Sequence, residues 1–429
     1  MSEDKYKLRI QSIAMRRFLF MLTLVLAGEM IFGLPFHTTR FFRPTFLEVF
    51  GYSNTQLGDV FAVYGVTAML AYFPGGVIAD RFSPRLLMTV SLFATAAGGV
   101  YMATFPGELQ MALLYGFWGV STILLFWAAM ISATREWGGD LSQGKAFGIL
   151  EGGRGLVAAS FAVLAVAVLS TYMPGEVEMA SAAQRREGFR MVILLYSTAA
   201  AVTGGLIWFV IPKSIASGPS IGSNPLTGMI IVLRRPLVWA QAAIIVCAYC
   251  AFKGTDNYSL YAVQVLGMDE VAAARFTAYA AYLRPVGAVV AGIVADRFVS
   301  SRIVAVTFFV LAVCYAFLAV AAPSAVWLNL IVANLLLSYF AVFALRGIYF
   351  ALLHETKTPR HLTGATVGLV SLVGYTPDIF FAPIAGRILD ASPGLAGHQH
   401  YFMFLGAIAV FGMLVVALLV WLNKRQSVD

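Results

Sequence analysis

Long apolar runs, separated by short polar breaks, dominate this chain of 429 residues. A helix needs about 20 apolar residues to cross a bilayer, and runs of that length recur from Phe18 to Trp421. The pattern predicts twelve membrane helices, six in each half of the chain. We place them at residues 18–40, 57–79, 86–104, 110–132, 145–171, 189–211, 237–265, 271–295, 302–321, 326–351, 363–386 and 400–422.

One longer break lies near the middle of the chain. The stretch from Pro212 to Pro225 is rich in Ser, Gly and Pro, and an apolar stretch followed by Arg234 and Arg235 could form a short helix on the inner surface. We therefore predict an all-α polytopic membrane protein with twelve helices in two pseudo-symmetric bundles. Its three parts are an N-terminal six-helix bundle (1–211), a cytoplasmic linker (212–236) and a C-terminal six-helix bundle (237–429).

Composition supports a membrane protein and explains its net charge of +8. Charged residues make up only 12% of the chain, against about 25% in soluble proteins. Basic residues concentrated on the cytoplasmic side would produce the positive charge, so no nucleic-acid partner is needed. Their distribution places both termini in the cytoplasm, for a protein of the cell inner (plasma) membrane. A cleaved signal peptide ending near Ala27 is the alternative, but it would leave the first half one helix short.

Few features favour an enzyme. Cys247, Cys250 and Cys314 fall inside apolar segments, which argues against a disulfide framework or a zinc cluster. The segment 139–146 resembles a phosphate-binding loop but ends in Ala146, which lacks the hydroxyl that would hold magnesium. We expect no catalytic residue, no metal and no cofactor.

Ionisable side chains inside the predicted spans are the most informative residues. Each costs about 2.5 to 3.5 kcal/mol on the insertion scale, so each should face a wet cavity or a partner rather than lipid. Both halves contribute them, which suits a substrate site near the bilayer midplane. The cations are Arg154, Lys253, Arg284 and Arg346, and the carboxylates are Glu29, Glu151, Asp256 and Asp378.

These charges suggest binding of an anion and transfer of protons. Glu151 and Arg154, like Lys253 and Asp256, are three residues apart and share a helix face; each pair either neutralises itself or belongs to a site. Arginine grips carboxylate, phosphate or sulfonate oxygens through two parallel hydrogen bonds. We predict that the four cations, with Tyr375, bind an anionic substrate. The four carboxylates are the predicted proton carriers.

Two further positions draw attention. Pro377 should kink the eleventh helix beside Asp378, either for structural reasons alone or to open carbonyls at a site. His37 and Arg40 lie near the outer end of the first helix and would face the entrance, although Arg40 is equally suited to reach the membrane surface.

A short sequence occurs twice, each time where an apolar run ends: Gly76-Val-Ile-Ala-Asp80-Arg81 and Gly292-Ile-Val-Ala-Asp296-Arg297. It resembles the loop signature that the major facilitator superfamily carries after its second and eighth helices. The first copy departs from that signature, with Ser83 in place of a second glycine. In that family these residues latch cytoplasmic helix ends and bias the two transport states. The resemblance implies gating roles for Gly76, Asp80, Arg81, Arg85, Gly292, Asp296, Arg297 and Arg302.

Two further segments are similar to those of bacterial family members that carry organic anions and sugar-derived acids. They are residues 148–155, which contain Glu151 and Arg154, and residues 374–378. The Gly-Pro signature of drug-proton antiporters is missing from the fifth helix. The resemblance implies a secondary transporter that works by alternating access.

The prediction is proton-coupled symport of a small organic anion by a monomer in the lipid bilayer. One alternative is a proton-driven exporter of cationic or amphipathic compounds that uses the same carboxylates. Another is a membrane sensor or assembly factor that has the fold without transport.

Overall fold

The structure is a computed structural model that describes residues 3–139, 143–213, 231–355 and 363–425. Within these ranges, side chains are described except at 3–13, 73, 143–144, 296, 353–354 and 363–365. Most of the predicted linker, residues 214–230, lies outside them.

Helices joined by short turns make up the described chain. The first part contains α1 (Glu3–Met30), α2 (Thr38–Phe41), α3 (Arg43–Phe50), α4 (Asn54–Arg81), α5 (Pro84–Met102), α6 (Glu108–Val120), α7 (Ala128–Gly138), α8 (Gln143–Ser170) and α9 (Ala182–Val210). The second part contains α10 (Pro236–Gly254), α11 (Tyr258–Gln264), α12 (Glu270–Ala280), α13 (Leu283–Arg297), α14 (Ser300–Val320), α15 (Leu328–Ile348), α16 (Leu352–Glu355), α17 (Thr363–Gly374), α18 (Pro377–Ala391) and α19 (Leu395–Arg425).

The helices are long and apolar enough to cross a membrane. Within the described residues ten spans meet that condition, and up to twelve if each of two bent helix pairs counts as one span. Large apolar side chains such as Phe209 and Val320 are mostly exposed along these spans, as lipid-facing surfaces require. The prediction of an all-α polytopic membrane protein is confirmed.

Several spans are broken where charged residues lie. A turn of π-helix, Gly33–His37, follows α1, and the pair bends by 43°. A turn of 3₁₀-helix, Thr255–Asn257, separates α10 from α11. Pro377 begins α18 after a short turn because proline cannot supply the backbone donor that a continuous helix needs. The predicted seventh and eleventh helices are therefore each two shorter helices.

The chain forms two compact units. Unit 1 comprises Met1–Thr38 and Val66–Ser220, and unit 2 comprises Thr39–Gly65 and Ile221–Asp429. By its contacts, the segment 39–65 thus belongs with the C-terminal helices. The division into an N-terminal bundle at 1–211 and a C-terminal bundle at 237–429 stays a prediction.

Glycines let the segment 39–65 pack closely within unit 2. A Cβ added at Gly58 or Gly65 of α4 would lie 2.4 Å from a backbone oxygen of α18. The reverse holds for Gly386 of α18, where an added Cβ would lie 2.4 Å from the Asn54 oxygen. Small residues allow this approach of two helix backbones. The contact fixes the segment that carries Arg40.

Candidate functional site

Four polar side chains of unit 1 form a buried group that we call the carboxylate network: Glu29, His37, Glu151 and Arg154. Arg154 Nε donates to Glu29 Oε2 at 3.1 Å and to the Gly28 carbonyl at 2.9 Å, and Arg154 Nη1 donates to Glu151 Oε1 at 2.6 Å. His37 Nε2 lies 3.1 Å from Glu29 Oε1. The Glu29 side chain is only 2% exposed, whereas that of Glu151 is 49% exposed. The network therefore runs from a buried carboxylate to an accessible one.

Close packing of α1 on α8 positions this network. A Cβ added at Gly153 would lie 2.7 Å from the Val25 side chain, and one at Gly28 would lie 3.1 Å from Arg154 Cδ. Because both glycines lack side chains, the Arg154 guanidinium can lie along α1 and reach Glu29. The rings of Phe32 and Trp127 lie 5.7 Å and 5.9 Å from Arg154 Cζ.

Five charged side chains of unit 2 form a second buried group, the cation cluster: Arg40, Lys253, Asp256, Arg346 and Asp378. Lys253 Nζ lies 3.4 Å from an oxygen of Asp256 and 3.4 Å from an oxygen of Asp378. Arg40 Nε donates to the other oxygen of Asp256. The Lys253 side chain is 3% exposed.

Aromatic rings hold the cations of this cluster. Arg346 Cζ lies 3.9 Å from the centroid of the Phe252 ring, and Arg40 Cζ lies 4.6 Å from the same centroid. The Tyr249 hydroxyl donates to Asp378 at 3.0 Å, and its ring meets the Tyr375 ring edge-on at 5.0 Å. Cation–π contacts orient the guanidinium groups without neutralising their charge. Among the five side chains of the cluster, cations outnumber carboxylates by one.

Helix breaks bring these charges together. Lys253 lies in the last turn of α10, and Asp256 lies in the 3₁₀ turn that follows it. Asp378 lies in the first turn of α18, where the positive end of the helix dipole favours a carboxylate. Arg346 lies in the last turn of α15. Such breaks create polar backbone and side-chain sites inside membrane proteins.

The structure pairs several predicted residues. Both predicted three-residue pairs, Glu151 with Arg154 and Lys253 with Asp256, form ion pairs. Arg284 is half-buried near the start of α13, and its role as a substrate cation stays a prediction. Arg40 pairs with Asp256, and the alternative that it reaches the membrane surface stays a prediction.

The predicted gating residues lie at two turns between helices. The first copy of the repeat ends α4 at Arg81, and the second ends α13 at Arg297. Arg85 Cζ lies 4.4 Å from the Trp208 ring, and Arg302 is exposed at the start of α14. The side chain of Asp296 is outside the described part of the structure. Their gating role stays a prediction.

Sequence reasoning missed a polar contact between α4 and α18. Asp390 accepts hydrogen bonds from the backbone of Asn54 and Thr55, the latter at 2.7 Å. Arg387 forms an ion pair with Asp59 at 2.8 Å. The signal available in the sequence was the spacing of Gly58 and Gly65, which marks a close helix contact without naming its partner.

The fold and two buried charge groups define an integral membrane transporter, and comparison with known proteins identifies its family. Residues 18–376 match the model of the Major Facilitator Superfamily. The chain belongs to this family and is a secondary transporter, not an enzyme. It carries a small-molecule substrate across the membrane and is a multi-pass membrane protein.

Individual relatives cover most of the chain. The chain is 27% identical to the inner membrane protein YqcE of Escherichia coli (strain K12) over 430 residues, 98% of each protein. It is 22% identical to the hexuronate transporter of Bacillus subtilis (strain 168), over 85% of each. The solved structure of the nucleoside transporter NupG matches with a TM-score of 0.74 at 11% identity, covering 94% of this chain and 99% of that one. This last likeness concerns the fold alone.

Proposed function

We propose that the protein performs proton-coupled symport of a small organic anion that bears a carboxylate, phosphate or sulfonate group. The observation that carries the proposal is the charge balance of the cation cluster. Its three cations, Arg40, Lys253 and Arg346, exceed its two carboxylates by one positive charge when all are ionised. A buried positive surplus attracts an anion strongly because the interior screens charge poorly.

The surroundings of the cluster favour an organic anion over a bare inorganic ion. The rings of Phe252 and Tyr249 lie 3.9 Å and 5.9 Å from Arg346 Cζ, and the Tyr375 ring lies edge-on to that of Tyr249. A ligand with an apolar or sugar-like body can pack on such rings while its acidic group meets the cations. The relative named as a hexuronate transporter supports the same class, since hexuronates are sugar acids.

In this proposal the carboxylate network binds the coupled proton. Glu29 and Glu151 outnumber Arg154 by one negative charge, so the network can gain one proton and become neutral. In this arrangement Arg154 organises the carboxylates, and its predicted contact with substrate stays a prediction. Asp256 and Asp378 remain candidates for a second proton site beside the anion.

The decisive assay uses proteoliposomes that contain the purified protein and an inward proton gradient. The panel comprises hexuronates, aldonates, sugar phosphates and alkyl sulfonates, with nitrate and a lipophilic cation as comparators. We expect accumulation of at least one organic anion, abolished by a protonophore. Accumulation of no anion would contradict the proposal, and export of the lipophilic cation would support the exporter instead.

A matched pair of variants ties the result to the cluster. Lys253→Gln removes its positive surplus, whereas Lys145→Gln changes an exposed lysine of α8. We expect uptake to fall only in the first variant, with both proteins equally stable in detergent. Equal uptake by Lys253→Gln and the wild type would argue against an anion site at this place.

We also propose that the protein acts as a monomer in the inner membrane with both termini in the cytoplasm. A relative that is named an inner membrane protein supports the location. Light scattering of the purified protein tests the first point. Labelling of single cysteines placed at either terminus of a cysteine-free variant, in cells and in inverted vesicles, tests the second.

A further inference from the structure

We propose that His37, held by Glu29, is the binding site of the coupled proton. This inference rests on the proposed function and adds His37, to which the sequence assigned no proton, to the predicted proton carrier Glu29. His37 and Glu29 are both buried, and they lie in the same bent stretch of chain that leads from α1 to α2.

The contact between the two side chains requires the break in the helix. Residues eight apart in a regular α-helix are separated by about 12 Å along its axis, too far for a hydrogen bond. The π-helical turn Gly33–His37 and the 43° bend bring His37 Nε2 within 3.1 Å of Glu29 Oε1. π-helical turns inside membrane helices are frequent at functional sites. The local fold thus creates a histidine–carboxylate pair inside the membrane span.

Charge balance favours uptake of one proton here. With a neutral imidazole, Glu29, Glu151 and Arg154 leave the carboxylate network with one negative charge. The contact with Glu29 holds the hydrogen of neutral His37 on Nε2, so an incoming proton binds Nδ1. The product is an imidazolium that pairs with Glu29 and makes the network neutral. No other bond forms or breaks.

The groups around the imidazole come from four elements. Glu29 of α1 faces it directly, Arg154 and Glu151 of α8 lie behind Glu29, and the Tyr196 ring of α9 lies edge-on at 5.9 Å. The fourth element, α5, also packs on this turn. Its two titratable side chains are Arg85, which stacks on Trp208, and Tyr101, which is exposed.

The position of His37 in the chain links proton binding to the anion site. Arg40 follows three residues later and pairs with Asp256 in the cation cluster. The backbone oxygen of Arg40 also accepts a hydrogen bond from Ser259 at 3.0 Å. A proton on His37 strengthens its pairing with Glu29 and weakens the hold of Glu29 on Arg154. Only Thr38 and Thr39 separate His37 from Arg40, so a movement of the π-helical turn would also move Arg40.

The first test compares His37→Gln with His400→Gln, which alters an exposed histidine. Two assays are run on each: anion accumulation driven by a proton gradient, and anion counterflow at equal pH on both sides. For His37→Gln we expect accumulation to fall by at least about tenfold while counterflow changes by less than about threefold. The His400→Gln variant should match the wild type in both. Full gradient-driven accumulation by His37→Gln would overturn the inference.

A second test does not depend on transport. The chain has five histidines, so nitrogen NMR of histidine-labelled protein gives few signals, and the one missing from His37→Gln belongs to His37. We expect this signal to titrate in the wild type, with a changed midpoint in Glu29→Gln. A signal that does not titrate would overturn the inference. If the wild type carries no anion at all, the proposed function fails while this titration still decides the proton site.

Discussion

The carboxylate network of unit 1 and the cation cluster of unit 2 have opposite charge balances. The network contains two carboxylates, one arginine and one histidine, whereas the cluster contains three cations and two carboxylates. Apart from the half-exposed Glu151, the side chains of both groups are largely buried, in spans where an uncompensated charge is costly. The first can be neutralised by a proton and the second by an anion. From this difference we infer, on the proposed function, that the proton and the anion bind at separate places.

The two groups also differ in how the chain builds them. The cation cluster collects residues from helix ends and breaks, at the ends of α10 and α15 and the start of α18. The carboxylate network takes Glu151 and Arg154 from within a long helix, α8, and Glu29 and His37 from the end of α1 and the π-helical turn after it. Residues at helix breaks can move when the break changes its angle, whereas residues inside a continuous helix move with that helix. We therefore expect the cation cluster and the pair of His37 with Glu29 to rearrange more easily than Glu151 and Arg154.

The largest expected effect on anion affinity comes from removing, and then restoring, the one excess positive charge of the cation cluster. Lys253→Gln should weaken anion binding by about 100-fold, because removing one partner of a buried charge group costs 2 to 5 kcal/mol. Adding Asp256→Asn restores one excess positive charge and should recover part of that affinity. Isothermal titration calorimetry with the anion found in the uptake panel measures both. A double variant no better than the single one would show that geometry, not charge balance, sets affinity.

A smaller and different effect is expected in the carboxylate network. Glu29→Gln imitates loss of its negative charge, so gradient-driven accumulation should fall by about tenfold or more while anion affinity stays within about twofold. Uptake by proteoliposomes measures the accumulation, and calorimetry on the same preparation measures the anion affinity. A comparable fall in both would mean that Glu29 serves the anion site as well.

Tyr249 offers a more modest test of the cluster. Tyr249→Phe removes the hydroxyl that donates to Asp378, and a net contribution of about 1 kcal/mol predicts a change in affinity of about fivefold. Tyr279→Phe, which alters an exposed tyrosine of α12, is the matched control. If both variants behave alike, the hydrogen bond to Asp378 has no special part in binding.

The smallest effect should come from the exposed end of the network. The Glu151 side chain is half-exposed, so its pairing with Arg154 is screened by water and contributes little. Glu151→Gln should reduce gradient-driven accumulation by no more than about threefold. A loss as large as that of Glu29→Gln would move the proton site toward Glu151.

Much of the fold could be predicted from the sequence, because apolar runs reveal spans directly. Most charged residues of both groups could be predicted for the same reason, since each stands out in an apolar run. The contacts between them could not be predicted. Arg40 and Asp256 are 216 residues apart, and no local spacing connects them.

The role of His37 was hidden for another reason. A regular helix would place it far from Glu29, so only the π-helical turn and the bend reveal the pair. Gly33 and Pro35 were visible signs of a break, but a break does not say which side chains it joins. The contact of α4 with α18 was equally hidden, because glycine spacing indicates close packing without identifying the other helix.

The central claim is that anion and proton bind at separate places, and the number of protons moved per anion tests it most directly. Proton and anion fluxes are recorded together in proteoliposomes for the wild type, Glu29→Gln and Arg346→Gln. We predict that Arg346→Gln lowers both fluxes in proportion, whereas Glu29→Gln exchanges anion with almost no proton movement. An unchanged proton-to-anion ratio in Glu29→Gln, or a changed ratio in Arg346→Gln, would contradict the account.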